Sequence, residues 1–334
     1  MDTTTLPDID TLNVAQLRKL VKQLGIGNGA WRVQATRDEL TEAVRLGRVA
    51  AASANAQLLV VPDIDKTFVV SDIAKTLLEA VLKIPNGKIR NVLLTGPAGC
   101  GKTDLARYTS AIGRAPFFEF NLVLYREPID IFGEKGVANG QTFFAPSEFV
   151  RAIETPGAVI LLDEVNRATP PVWNALMPLL DHRKEVHVEG LQRIVRVADN
   201  VTFIGTANIG AQFTGTYRLD EALESRFPYH LEVNYLTRKE ESKLLSDRCG
   251  IKTADANALA TVAETIRAKA SGFGGTLSKA VSTRQLLAAG WLIAMGMTPG
   301  QAMNFTVVPK FDTEGGESSE RAQVLQTIQL TCGL

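Results

Sequence analysis

Eight consecutive residues, Gly96-Pro-Ala-Gly-Cys-Gly-Lys-Thr103, have the types and spacing to hold a polyphosphate. Glycine at positions 96, 99 and 101 lets the backbone curl until its N–H groups face one anion. The preceding run, Asn91-Val-Leu-Leu-Thr95, reads as a short buried strand, and Asp104-Leu-Ala-Arg-Tyr108 as the opening of a helix. That strand–loop–helix context separates a phosphate cradle from a plain glycine turn. The helix N-terminus adds positive dipole at the same point. The whole segment, Gly96, Pro97, Ala98, Gly99, Cys100, Gly101, Lys102 and Thr103, is therefore a candidate nucleotide-binding loop. Lys102 is placed to reach the β- and γ-phosphates, and the Thr103 hydroxyl to hold Mg²⁺. About sixty residues later, Ala158-Val-Ile-Leu-Leu-Asp-Glu164 is an apolar strand ending in two carboxylates. Next to a phosphate loop, Asp163 suits the water-mediated metal ligand and Glu164 the base that polarises an attacking water. Helix capping is the alternative use of such a pair.

These groups need a frame that brings strand ends together. Five β-rich runs alternate with helical stretches: Asn91–Thr95, Pro116–Leu122, Ala158–Asp163, Val201–Thr206 and His230–Tyr235. Unbroken apolar runs suit strands buried on both faces, so the expected class is α/β, a five-stranded parallel sheet covered by helices. Ligands of such sheets bind at the carboxyl edge, where both carboxylates fall. Two segments read as hairpins: Gly133–Phe144, turning at Asn139-Gly140, and Glu185–Val197, turning near Glu189-Gly190. From Thr237 onward helices dominate: Thr237–Arg248, Ala254–Lys269, Thr283–Met295 and Ser319–Leu330. Near the start, Val14, Leu17, Leu20, Val21 and Leu24 recur at helical spacing, and Thr36-Arg-Asp-Glu39 has the form of a capping box. The expected organisation is a helical hairpin over 1–47, a linker over 48–60, an α/β core over 61–236 and a helical lid over 237–334.

Composition narrows the function classes. Lys+Arg and Asp+Glu both number 36, so no global charge demands a nucleic acid or a membrane surface. Three well-separated cysteines without a C-x-x-C spacing argue for reduced thiols, a cytoplasmic setting and no zinc site. His182, His187 and His230 offer no ligand spacing and read as structural. The first residues lack a basic start and apolar core, so no signal peptide is expected, and no run is long enough to span a bilayer.

Here the motifs become specific. Leu162-Asp-Glu-Val-Asn-Arg-Ala168 resembles the signature of the MoxR and dynein-related branch of AAA+ ATPases, and the resemblance covers roughly residues 60–330. Phe203-Ile-Gly-Thr-Ala-Asn208 resembles that family's sensor-1 strand, which implies that Asn208 positions the γ-phosphate and water. Leu219-Asp-Glu-Ala-Leu-Glu-Ser-Arg-Phe227 resembles the segment that carries the arginine finger. Arg226 is then the finger offered to a neighbouring subunit, with Arg218 as a rival and a salt bridge to Glu221 or Glu224 as the alternative use. Ser282-Thr-Arg-Gln285 resembles sensor 2, so that Arg284 touches phosphate within its own chain. Asn121 matches the polar residue that holds the catalytic glutamate inactive in many AAA+ proteins, and Asp130-Ile-Phe-Gly133 resembles the segment before the branch's helix-2 insert.

The resemblance implies ATP and Mg²⁺ as cofactors and a homo-oligomeric, hexameric ring, with no membrane partner. The residues leave ATP against GTP open. Gly205-Thr-Ala-Asn208 with Phe213-Thr-Gly-Thr-Tyr217 is also reminiscent of CobS-type chelatase subunits, which partner a von Willebrand A-type protein, but Val165-Asn-Arg167 follows MoxR. Residues 11–47 resemble a SAP motif, with Arg18, Lys19, Lys22, Arg32 and Arg37 supplying positive charge. This piece either binds DNA or docks a protein partner. The expected activity is ATP hydrolysis driving the remodelling or activation of a protein client. The alternatives are a DNA-associated motor, a CobS-like chelatase subunit, and a scaffold that binds nucleotide but turns it over slowly.

Overall fold

The computed structural model describes residues 12–23, 36–38, 40–41, 60–138, 141–208, 221–270 and 276–332. Helices are α1 (Val14–Gln23), α2 (Asp72–Leu82), α3 (Lys102–Gly113), α4 (Pro128–Phe132), α5 (Glu148–Ile153), α6 (Pro170–Leu180), α7 (Glu221–Glu224), α8 (Arg238–Cys249), α9 (Thr253–Ala270), α10 (Thr283–Ala294), α11 (Pro299–Thr306) and α12 (Glu320–Cys332). Strands are β1 (Val92–Gly96), β2 (Phe117–Asn121), β3 (Gly133–Ala138), β4 (Gln141–Pro146), β5 (Val159–Asp163), β6 (Glu185–Val188), β7 (Arg193–Arg196), β8 (Thr202–Asn208) and β9 (Tyr229–Glu232). In α1, Asn13 and Gln16 exchange side-chain-to-backbone hydrogen bonds of 2.9 Å, and Leu17 and Val21 are fully buried. Most of the second helix of the SAP-like piece, the linker, Arg218, Phe213–Tyr217 and the Asn139-Gly140 turn lie outside the described residues.

The five apolar runs form one parallel sheet in the order β2-β5-β8-β1-β9. Their residues alternate between its faces as the strand period requires. On β5, Val159 and Leu161 join Leu78, Val81 and Leu105 of α2 and α3, whereas Ile160 and Leu162 join Phe149, Trp173 and Leu176 of α5 and α6. Burial on both faces explains why β1, β5 and β8 read as continuous apolar runs, whereas the edge strands β2 and β9 expose alternate residues. Parallel register, with Gly96 opposite Asn208 and Asn121 opposite Asp163, gathers the chemically active strand ends at one edge.

Both expected hairpins are present, as β3–β4 and β6–β7. Phe144 joins them: a Cβ on Gly190 would lie 2.8 Å from its ring, and one on Gly133 still closer, so neither position accepts a side chain without a shift.

The C-terminal helices enclose their own core, including Leu259, Ile266, Leu286, Met303 and Ile328. The Pro299–Thr306 helix was not expected from sequence. Its opening Pro299-Gly300 reads as a turn, yet Thr298 and Gln301 form a reciprocal cap with proline at the first helical position, where no N–H is needed. At the centre sits a buried ion pair. Glu241 is wholly buried and accepts from both Nη atoms of Arg267 at 2.8 Å and from the Thr283 hydroxyl at 2.6 Å. Removing one partner leaves a buried charge uncompensated, so Arg267→Ala should cost about 3–5 kcal/mol in urea unfolding. The double change Glu241→Leu/Arg267→Leu should fall closer to the parent; additive losses would show that the pair is not the coupled unit described.

Candidate nucleotide site

The loop after β1 curls through positive φ values at Gly96, Gly99 and Gly101, of 149°, 70° and 98°. Gly99 also lies against the C-terminal helices: a Cβ there would stand 2.8 Å from the Cβ of Ser282, the residue that caps α10. Lys102 opens α3 and is only 7% exposed. Its ammonium donates to Gly96 O at 3.0 Å, Pro97 O at 2.8 Å and Asn208 Oδ1 at 2.8 Å, with Cys100 Sγ at 3.9 Å. Burial holds its pKa below the ordinary lysine value, while the neighbouring Cys100, Asp163 and Glu164 side chains pull the other way. Burial raises the Cys100 thiol, opposed by Lys102.

Asp163 and Glu164 sit at the end of β5. The Thr206 hydroxyl donates to Asp163 Oδ1 and accepts from the Glu164 N–H at 3.0 Å, tying both residues to β8. Glu164 adopts a left-handed backbone with φ 56°, a conformation worth about 1–3 kcal/mol of strain for a residue with a Cβ. Its carboxylate accepts from Arg167 at 3.0 Å and from Asn208 Nδ2 at 3.4 Å. Asn166 in turn donates to Asn208 O at 2.9 Å. Asn208 thus bridges the ammonium and the carboxylate. Thr206 and Arg167 were not singled out from sequence. The signal for Thr206 was its place two residues before Asn208, on the same face of the strand.

A cavity of about 460 Å³ is walled by Ala98 to Thr103, Asp163, Glu164, Asn208, Phe68, Tyr235 and Arg284. Gly96 and Pro97 lie off its wall and turn their carbonyls to Lys102. Tyr235, just before the C-terminal helices, touches the loop: its hydroxyl donates to Ala98 O at 3.0 Å. The Arg267 guanidinium lies 4.0 Å from the centre of the Tyr235 ring, and the same guanidinium binds Glu241, which holds Thr283 beside Arg284. Burial pushes the Tyr235 phenol up to about 12, so it stays a donor across the neutral range.

Among the described residues, no cluster of three or more His, Cys, Asp or Glu side chains could cage a metal. A hydroxyl from Thr103 and a carboxylate from Asp163 fit Mg²⁺, which keeps waters and takes phosphate oxygens rather than an all-protein shell.

At Arg226 the alternative salt bridge is absent, and Asn121 has another partner. Arg226 pairs with neither Glu221 nor Glu224; its Nη2 lies 3.8 Å from Asp181 Oδ2 and its Nη1 donates to Ala222 O at 2.5 Å. It is also absent from the cavity wall. Asn121 accepts from the Val123 N–H at 3.1 Å, capping the turn after β2, and makes no hydrogen bond to Glu164 among the described residues.

Residues 91–227 match the AAA domain (dynein-related subfamily), and residues 241–323 match the CbbQ/NirQ/NorQ C-terminal domain. The candidate chaperone BssE of Thauera aromatica is 35% identical over 237 residues, which span 71% of this chain and 80% of that protein. The chain belongs to the MoxR-like, dynein-related AAA+ family. YojN of Bacillus subtilis is 28% identical over 250 residues, spanning 73% of this AAA+ chain and 80% of YojN. Among solved structures, the RuvB Holliday junction branch migration motor of Thermotoga maritima has a TM-score of 0.46 at 16% identity, covering 82% of this chain and 72% of RuvB. NtrX of Brucella abortus in complex with ADP has a TM-score of 0.45 at 18% identity, covering 86% and 70%. Family and cavity agree on a nucleotide-binding protein. No helix of the described residues is long and apolar enough to cross a membrane.

Lys102→Ala should weaken nucleotide binding by about 100-fold or more in a fluorescent-nucleotide titration, since charge-assisted hydrogen bonds carry about 1.5–3 kcal/mol each. Because burial lowers the Lys102 pKa, parent affinity should decline with rising pH before the ordinary lysine value is reached. Unchanged affinity in the variant would remove Lys102 from the site.

Proposed function

We propose that the chain is a Mg²⁺-dependent ATPase that assembles into a hexameric ring in the cytoplasm and uses hydrolysis to remodel or activate a protein client. The observation that carries this reading is the hydrogen-bonded chain Lys102–Asn208–Glu164 on the cavity wall, which links a phosphate-binding cation to a candidate base. The α/β unit over 61–236 is the motor, and the helices over 237–334 form the lid. Likeness to a candidate chaperone favours a protein client over DNA or a chelation reaction.

In this reading Gly96 to Thr103 wrap the phosphates, and Lys102 exchanges its backbone acceptors for β- and γ-phosphate oxygens. Thr103 and Asp163 hold Mg²⁺, which neutralises phosphate charge when bound. Glu164 accepts a proton from water as the water oxygen bonds the γ-phosphorus and the bond to the β-γ bridging oxygen breaks. Asn208, already between Lys102 and Glu164, orients the water and the γ-phosphate. Arg284 reads the phosphates from the lid, and its link through Thr283, Glu241, Arg267 and Tyr235 to Ala98 couples lid angle to loop geometry. A neighbour's Arg226 neutralises charge on the transferring group. The two hairpins, locked together by Phe144, are the levers toward the client.

Glu164→Gln should retain nucleotide binding and lose hydrolysis, because the amide is nearly isosteric and a poor base. Phosphate release and nucleotide titration on one preparation separate the two effects. Hydrolysis at the parent rate would exclude Glu164 as the base.

A further inference from the structure

Arg226 lies on the wrong side of its own sheet to serve its own nucleotide. Its carbonyl is bonded to the side chain of Asn91, which precedes β1, whereas the phosphate loop leaves the far end of that strand at Gly96. The parallel register of β1 with β9, Val92 opposite Tyr229, puts the residues just before β9 at the same edge. Five residues of strand separate the two edges by roughly 15 Å. A phosphate that Arg226 reaches therefore belongs to another chain.

At that edge the arginine is built in. The Asn91 amide is 97% buried and spends both hydrogens on backbone carbonyls, of Leu180 and of Arg226, each at 2.7 Å. It thereby fixes the end of α6 against the finger segment. The next residue after Leu180 is Asp181, whose carboxylate faces the Arg226 guanidinium at 3.8 Å. Arg183 holds the same carboxylate, with Nη2 2.6 Å from Oδ2, the oxygen that faces Arg226, and Nε 3.1 Å from Oδ1. Arg226 Nη1 is directed by Ala222 O, and its buried Nε has no partner. The side chain is still 23% exposed. The arginine is thus aimed but not closed into a bidentate pair. At 3.8 Å Asp181 orients the guanidinium by charge; Nη1 is engaged by Ala222 O and by Ser225 Oγ at 3.4 Å, which leaves the Nη2 hydrogens for an incoming oxyanion.

Resting on the reading of Arg226 as a finger for a neighbouring subunit, we infer that Asp181 and Asn91 are its positioning residues and act, through it, on the nucleotide bound by the adjacent chain. Neither lines the cavity of its own chain. A merely structural pair would instead damage its own subunit's site or stability.

The test is subunit mixing. Asp181→Asn should lower ATP turnover by about tenfold or more while leaving nucleotide affinity within about twofold of the parent. Mixed with Lys102→Ala, whose own loop is disabled but whose Arg226 is intact, it should hydrolyse ATP faster than the sum of the two separate preparations. Asn91→Ala should behave the same way if thermal melting shows it folded; Asp181→Asn carries the test if it does not. Asp181→Glu should restore part of the turnover without mixing. Arg226→Ala mixed with Lys102→Ala is the reference. Recovery there but not with Asp181→Asn would overturn the positioning role and leave the finger standing. Failure of the reference mixture, at concentrations where rings form, would overturn both. Parent turnover by Asp181→Asn would also overturn it.

Discussion

A lysine ammonium 7% exposed must find acceptors, and the fold is arranged so that Lys102 does. Two of its acceptors are carbonyls of the loop it terminates, and the third is Asn208, the last residue of the neighbouring strand. That third contact exists because β1 and β8 run parallel with Gly96 opposite Asn208. An antiparallel pairing would carry Asn208 to the far edge. Through Asn208 the same hydrogen-bonded path reaches Glu164, and through Thr206 it fixes Asp163. Two parallel registers, β1 with β8 and β5 with β8, therefore set the positions of the cation, both carboxylates and the polar residue between them.

The sheet also separates two jobs. At its carboxyl edge stand the residues of the candidate nucleotide site; at its amino edge Asn91, Asp181 and Arg226 are joined to one another. β1 belongs to both, with Gly96 at one end and Asn91 bonded to Arg226 at the other. A shift of this strand on binding phosphate would move the arginine with it. The C-terminal helices have a comparable tie: Tyr235 on Ala98, Arg267 on Tyr235, and Glu241 holding Thr283 next to Arg284. A buried ion pair is a weak source of net stability, yet its two partners must stay together, which makes it a stiff coupling between helices α8, α9 and α10.

Much of this was legible from the residues. Apolar runs buried on both faces announced β1, β5 and β8, the edge strands β2 and β9 read as β-rich runs, and glycine spacing with Lys-Thr announced the loop. Asp163 and Glu164 could be placed because a strand end fixes where its last residues fall. Local pattern could not supply contacts between residues distant in sequence. Arg226 pairs with Asp181 rather than with the nearby Glu221 or Glu224, because its carbonyl is bonded to Asn91, as is that of Leu180 next to Asp181. Thr206 gains its role only when β5 and β8 lie side by side. Asn121 matched a family position, but its side chain is engaged in capping the following turn. The Glu241–Arg267 pair joins two helices whose surfaces read as ordinary charged faces. The Pro299–Thr306 helix was hidden by Pro-Gly, which suits a helix start as well as a turn.

The central claim is that the catalytic site is shared between two chains across the sheet. An experimental structure of the assembled ring with Mg²⁺ and a slowly hydrolysed ATP analogue tests it most directly, read as the distance from each Arg226 guanidinium to the nearest γ-phosphate. The account predicts hydrogen-bond distance to the γ-phosphate held by the adjacent subunit's Lys102, with Asp181 still beside the arginine. A γ-phosphate contacted only by residues of its own chain, with every Arg226 remote from any nucleotide, would contradict it.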